Sequence, residues 1–363
     1  MNKILRLFIY CVLLAIGPLA AFLLPPASVR YQIVERYAFE ASRAGAGVHL
    51  AVMLPKSGPY QTIENVTINW PGDDRRVAHP SADVMLLDGV TGEDGTLEAR
   101  FTYDVALPQG RVRWDGPVSD ADLQPEAEIE SDAPALVRQA EEIGVDRSRE
   151  GIYRLYTFTA DHLSWPAGDR TGARQSALTA YETGIGVCGE HANLMTALCR
   201  ASGIPARSIE GLLLPGLLPP YMAKTRAWLH PAAAHAWVEV HADDGWAMVD
   251  PTLAANFSLG RLRFGRSTGR HLSYGERAQQ DVIYNEMTAW GEAQGSITGA
   301  MSAPLKFVAA VEEEGAVVVP EVTVTKTKDV RWFVGLGSYA AILAAVGLLE
   351  RRLRRTGRSS TAA

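Results

Sequence analysis

Cysteine is scarce in this chain: Cys11, Cys188 and Cys199 are the three among 363 residues. So few cannot build a disulfide framework. Cys188 and Cys199 fall on one predicted helix, about 16 Å apart at the helical rise, which is farther than a disulfide spans. Cys11 lies inside an apolar segment near the start of the chain. Surplus positive charge is missing too. The formal net charge is −6, and Lys3, Arg6 and the arginines from Arg351 to Arg358 sit at the two ends, so the stretch between is more acidic still. That balance argues against nucleic acid or anionic lipid as a partner. What remains, 47% hydrophobic and 21% charged residues, suffices for a buried core in two domains.

The most informative stretch is Gly184 to Arg207, GIGVCGEHANLMTALCRASGIPAR. A glycine-rich turn leads into Cys188. Ala192, Met195, Leu198 and Cys199 then recur at helical spacing. Gly203-Ile204-Pro205 ends that helix, with glycine just past the last turn and proline beyond it. Cys188 is therefore expected at a helix N-terminus, where free backbone N–H groups and partial positive charge favour a thiolate. The same N–H groups suit a developing oxyanion. Cys199 reads as a small buried hydrophobe.

Two later segments complete a constellation. His235 opens HAWVEV, an alternating pattern that reads as a strand to Val240. Asp250 lies in GWAMVDPT, a second strand after the Asp243-Asp244-Gly245 turn. A hairpin puts His235 beside Asp250, and a helix packed on it brings Cys188 within reach. Nucleophile, base and orienting acid then stand in chain order. The same residues permit a metal reading, since Cys188 and His191 share one helix face and His230, His235 and His241 follow. Structural zinc sites usually draw four ligands from tightly spaced pairs, and His235 opens a motif that explains it better. No metal and no cofactor is expected.

The cysteine-helix-GIPAR segment, HAWVEV and W-x-x-VDPT together resemble the transglutaminase-like superfamily, whose fold is similar to that of papain-type cysteine enzymes. The resemblance runs from about Ser148 to Tyr274. It implies Cys188 as nucleophile, His235 as base and Asp250 as orienting acid, with acyl-transfer chemistry on amides of a protein or peptide. It leaves open whether water or an amine resolves the acyl-enzyme. Two other uses of the fold stay open as well: a silent scaffold, and an assembly factor of the cell envelope.

The rest of the chain supplies the frame. Residues 29–118 carry short alternating segments divided by turn signals and read as an all-β sandwich. His49 and His79 within it have no partner pattern. Residues 119–134 are acidic and proline-containing, as a linker would be. The catalytic region is expected over 135–275, with Ser148 as a helix cap, Tyr153, Tyr156 and Tyr181 as core or cleft residues, and a short helix over Ser176–Tyr181. Leu212–Pro220, apolar and broken by prolines, reads as a lid or as a buried connection. Arg270-His271 reads as part of a solvated basic face, and 276–330 as a connection or stalk, with Val317–Val324 a possible last strand. Leu7–Leu24 and Trp332–Leu349 are apolar and flanked by basic residues. Segment 1–26 is expected as an anchor or signal, 332–349 as a transmembrane helix and 350–363 as a basic cytoplasmic tail. Both ends then lie inside and the bulk of the chain on the extracytoplasmic side. The expected fold class is α+β: a papain-like transglutaminase core preceded by an all-β sandwich, with transmembrane helices at both termini.

Overall fold

The computed structural model describes residues 28–165, 175–215, 232–252, 266–268, 270–302 and 305–326. They belong to one unit, Ser28–Lys326. Both apolar terminal runs lie outside the described residues. Among those described, no helix is long and apolar enough to cross a membrane.

In chain order the elements are β1 (Ser28–Glu40), β2 (Gly47–Pro55), β3 (Thr62–Asn69), β4 (Asp73–Ala78), β5 (Ala82–Val90), β6 (Thr96–Arg111) and β7 (Arg113–Trp114). Four helices follow: α1 (Pro134–Ile143), α2 (Arg149–His162), α3 (Ala177–Thr183) and α4 (Cys188–Ala201). Then come β8 (Ala206–Leu213), β9 (Ala233–Ala242), β10 (Gly245–Val249), β11 (Arg266–Thr268), β12 (His271–Glu276), α5 (Arg277–Gln294), β13 (Ser296–Ser302), β14 (Leu305–Val311) and β15 (Val317–Lys326).

Among the described residues three five-stranded sheets result. The first has the order β11-β6-β1-β15, with β3 also on β6. Strand alternation explains its inner face: Tyr31, Ile33, Tyr37 and Phe39 of β1 and Ala99, Phe101, Tyr103 and Val105 of β6 are all buried. They share one apolar core with Val48, Leu50 and Val52 of β2 and Phe307 and Ala309 of β14, from the sheet β13-β14-β2-β5-β4. Ile283 and Met287 of α5 join the same core. A carboxylate sits inside it: Glu35 accepts hydrogen bonds from Tyr37 (2.8 Å) and Tyr103 (2.6 Å). Burial raises its pKa, and the two phenols only partly offset this.

Residues 276–326, expected as a connection, instead supply α5, β13, β14 and β15. β15 pairs with β1 from Tyr31↔Lys326 to Glu40↔Val317. The physical reason is that β1 and β2 each leave an edge that local neighbours do not fill, and chain from the far end covers it. The acidic stretch after 118 differs from a loose linker as well. Asp122 is buried and accepts from Arg207 Nε (2.6 Å) and Nη2 (3.0 Å). Glu126 pairs with Arg200, Glu128 with Arg277, and Glu130 accepts from the Leu178 amide. Its acidic side chains are therefore straps onto the helices and sheet behind it.

The third sheet, β12-β8-β9-β10-β7, carries α1 to α4 on one face. α4 lies between them and the strands, and every residue from Glu190 to Arg200 is buried. That exceeds the one-sided burial its spacing predicts. Its polar residues are consequently bonded inside the fold. Arg200 donates to the carbonyls of Ala206 (2.9 Å) and Gln124 (2.6 Å), and Ser208 donates to Asn193 Oδ1 (3.2 Å). Ser148 caps α2 and Ser176 caps α3, each accepting a backbone N–H of the first turn.

Candidate active site

Cys188 is the first residue of α4. The chain reaches it through Gly184, which ends α3 in the left-handed region at φ 64°. Ser164 and Ile185 then form a parallel bridge, and the Gly186 amide donates to Ser164 O (3.1 Å). Gly186 has no room for a side chain, since a Cβ there would lie 2.6 Å from Cβ of Glu190. Glu190 closes the turn by accepting from the amides of Val187 (2.9 Å) and Gln175 (3.0 Å). Cys188 keeps partial exposure, whereas Cys199 is buried and its thiol is pushed up to about 12 by desolvation.

β9 and β10 form the hairpin that the Asp-Asp-Gly turn predicts, with Val238 opposite Val249. It places His235 Nε2 2.8 Å from Asp250 Oδ2. The Cys188 sulfur stands close enough to the same imidazole to help raise its pKa. With Nε2 committed to Asp250, Nδ1 is the ring nitrogen that serves the sulfur. Cys188, His235 and Asp250 are thus brought together.

His271 is a further member that the sequence reading placed on a solvated basic face. It is buried at the start of β12, and its Nε2 lies 2.9 Å from Asp250 Oδ2. The other oxygen, Oδ1, accepts from the Thr252 amide (3.0 Å). Arg270 beside it donates to Leu214 O (2.6 Å). The one signal that could have singled out His271 is the alternation of HLSYGE, which sends His271 and Ser273 one way and Leu272 and Tyr274 the other.

Trp237, two residues from His235 on the same face of β9, ties the two imidazoles together. Its ring stacks on His235 at 6.2 Å and meets His271 edge-on at 5.0 Å. Gly211, opposite His235 on β8, makes room for it. A Cβ there would lie 2.0 Å from Leu272 O and 2.7 Å from the Trp237 ring.

Charge divides unevenly in this cluster. Burial works against a protonated His235, but the Asp250 carboxylate and then the Cys188 sulfur outweigh it, so its pKa lies well above the usual histidine value. Burial likewise disfavours an ionised Asp250, yet the hydrogen bonds and charges of His235 and His271 hold its carboxyl far below the usual range. His271 shifts the other way: desolvation leads, and its pKa falls despite Asp250. His191 also falls through burial; its Nδ1 lies 2.8 Å from Val187 O.

The metal set considered from sequence is not gathered. His241 contacts Arg147 and Trp246, and His230 lies outside the described residues. Among the described residues, the metal-ligating atoms that do converge are those of His235, Asp250 and His271, within 4.8 Å of one another, a spacing that could hold an ion. Both imidazole Nε2 atoms already bond Oδ2, so a metal would have to displace both contacts. Of the Leu212–Pro220 segment, Leu212, Leu213 and Leu214 are buried, and 216–220 lie outside the described residues. Tyr156 is core, and Tyr181 bonds Gln139 (2.9 Å) while stacking on His162. A separate cavity of about 330 Å³, lined by Tyr60, Arg207, Glu239 and Glu276 among others, includes none of Cys188, His235 or Asp250. Glu239 is buried there, accepts from Tyr60 (2.6 Å), and desolvation pushes its pKa up to about 7.

A partly exposed cysteine at a helix N-terminus stands beside a strand histidine that an aspartate holds, an arrangement whose residue types suit thiol chemistry. Residues 137–251 match the family model of the transglutaminase-like superfamily. That segment of the chain is a transglutaminase-like domain, and Cys188, His235 and Asp250 all fall inside it. A protein-glutamine gamma-glutamyltransferase of Pseudomonas aeruginosa is 40% identical over 73 residues, which is 20% of this chain and 10% of that protein. The chain thus spans about a tenth of that relative's length. Among solved structures, a candidate cysteine protease from Cytophaga hutchinsonii aligns over 83% of this chain and 92% of its own, at 17% identity and a TM-score of 0.50. That likeness concerns the fold. A candidate protease from Parabacteroides distasonis covers 58% of this chain and 42% of its own, at 13% identity and a TM-score of 0.26.

Proposed function

We propose that the chain is a thiol enzyme acting on amide bonds of a protein or peptide, with Cys188 as nucleophile, His235 as base and Asp250 as orienting acid. The observation that carries this reading is the line from Cys188 through the His235 ring to Asp250, 2.8 Å from Nε2. Membership of residues 137–251 in the transglutaminase-like superfamily supports a thiol acyl-transfer or hydrolase reaction.

In the proposed reaction the Cys188 thiol proton is held on His235 Nδ1, where Asp250 favours it, and the sulfur attacks the amide carbonyl carbon. The first N–H groups of α4 stabilise the oxyanion as it forms. Collapse breaks the C–N bond, and the imidazolium returns its proton to the departing amine. The thioester left on Cys188 is then attacked by water or by a second amine, whose proton passes to His235. Water gives hydrolysis and an amine gives acyl transfer. Asp250 keeps the ring oriented and balances the imidazolium charge.

The test compares wild type with Cys188→Ala and His235→Ala on a glutamine-containing peptide, with and without an added primary amine. Both variants are expected to lose activity, His235→Ala by ~10²–10⁴-fold, the usual worth of a general base. Ammonia release alone assigns hydrolysis; incorporation of the amine assigns transfer. Full activity in His235→Ala refutes the reading. Loss of wild-type activity on adding a chelator favours the metal use of His235, Asp250 and His271. We further propose that the apolar runs Leu7–Leu24 and Trp332–Leu349 anchor the chain in a membrane with both ends cytoplasmic. Their basic flanks support that topology.

A further inference from the structure

We infer that His271 is a positioning residue of this site: its Nε2–H holds the Asp250 carboxylate in the orientation that His235 needs. The inference rests on the proposed roles of Cys188, His235 and Asp250.

Among the described residues, three N–H donors converge on Asp250. Oδ1 takes the Thr252 amide at 3.0 Å, and Oδ2 takes both His235 (2.8 Å) and His271 (2.9 Å). The backbone amide anchors one oxygen. The second imidazole, arriving from β12, prevents the other from rotating away from His235. His271 is itself held rigidly. It is buried, its ring packs edge-on against Trp237 at 5.0 Å, and Leu272 beside it is locked in the β-sandwich core.

The protonation of His271 suits this role. Burial lowers the His271 pKa and outweighs the Asp250 carboxylate, which raises it, while the charges of His235 and Arg270 act with burial. Because Nε2 donates to Asp250, the single ring proton is on Nε2. Nδ1 is buried and has no hydrogen-bond partner among the described residues. A neutral donor supports the carboxylate without bringing a second positive charge. The imidazolium that Asp250 balances is then that of His235 alone, which also faces Cys188. Two histidines share one carboxylate oxygen, and only one of them is placed to exchange a proton with the sulfur.

The experiment uses the full chain with two substitutions. His271→Gln keeps an N–H donor near the Nε2 position, and His271→Phe keeps a ring without a donor. The readout is the rate of Cys188 alkylation by iodoacetamide from pH 5 to 9. His271→Phe is expected to slow labelling at pH 6 by about tenfold or more, the worth of one hydrogen bond to a charged group. Its profile should change shape, and His271→Gln should recover most of the rate. A folded His271→Phe variant whose profile superimposes on wild type overturns the inference. So does a His271→Gln variant as slow as His271→Phe. Should the phenylalanine variant not fold, imidazole N–H resonances of histidine-labelled protein decide the matter. Wild type is expected to show two carboxylate-bonded N–H signals and His271→Gln one; a single signal in wild type overturns the inference. Wild-type Cys188 that labels no faster than a free thiol defeats the proposed function, even where both N–H signals are present.

Discussion

Replacing Asp250 by asparagine tests the electrostatic core of the site with almost no change in shape. In the native arrangement two carboxylate oxygens accept three N–H donors, from Thr252, His235 and His271. An amide offers one oxygen and one NH₂ group, so at least one donor must face another donor. With the amide nitrogen in the Oδ2 position, both imidazole N–H groups are opposed. In the Oδ1 position the Thr252 amide is, among the described donors, the one opposed, and each buried donor left unsatisfied costs about 1–3 kcal/mol. The second orientation is therefore favoured, and both imidazole bonds survive in neutral form, roughly half as strong as charge-assisted ones.

What Asp250→Asn removes outright is the negative charge that holds a proton on buried His235. Burial, which opposes that proton, then acts unopposed by Asp250, and the His235 pKa falls. The assay is Cys188 alkylation by iodoacetamide, followed by mass spectrometry across pH, with circular dichroism confirming the fold. At pH 6 the variant is expected to label ~10²-fold or more slowly, within the range that general-base assistance supplies. The gap should close as pH passes the ordinary thiol range near ~8.5, where solvent removes the proton unaided. Profiles for wild type and variant that coincide at pH 6 would refute the reasoning.

Glu239→Gln removes a buried carboxyl whose pKa stands at about 7 against 4.5 in the unfolded chain. A raised pKa gives stability present below about 4.5 and lost as pH rises to 7, by about 3 kcal/mol in wild type. Chemical denaturation at pH 4.5 and 7.5 should show that loss shrinking in the variant, while Glu35 and Glu276, also raised, keep a residual slope; an unchanged difference between the two pH values counts against this account. For topology, protease added to spheroplasts should digest the region between Val29 and Lys326, and protection of that region argues against two cytoplasmic ends.

The parts of the site legible in the sequence are those whose determinants are local. The position of Cys188 follows from a glycine turn before it and Gly203-Ile204-Pro205 after it, within one helix length. The His235–Asp250 pair follows from a single Asp-Asp-Gly turn between two short alternating runs. His271 is different. It reaches Asp250 only because β12 pairs with β8, β8 with β9, and β9 with β10, in a register that no neighbouring residue announces. The acidic run after residue 118 misleads for the same reason, since its partners Arg200, Arg207 and Arg277 lie far along the chain. β15 shows the extreme case, pairing with β1 from the opposite end of the described chain.

Long-range pairing also gives the β layers a physical connection to the chemistry. β12 turns one face toward the site and the other toward the sandwich. His271 bonds Asp250, and Ser273 exchanges hydrogen bonds with Gln61, its amide donating to Oε1 (2.7 Å) and its carbonyl accepting from Nε2 (2.8 Å). Leu272 and Tyr274 belong to the same buried core as Tyr31, Tyr37 and Phe101, and Tyr274 lies near Tyr103 and Glu35. Gly275, at φ 106°, lets the strand pass Ser81 where a Cβ would come within 2.1 Å of Ser81 Cβ. The strand that positions His271 is therefore held by side chains from both sheets of the sandwich. β7 reinforces the link by pairing Trp114 with Trp246 on the edge of the sheet that carries His235. The carboxylate that orients His235 is thus set, through His271, by packing that the β layers supply.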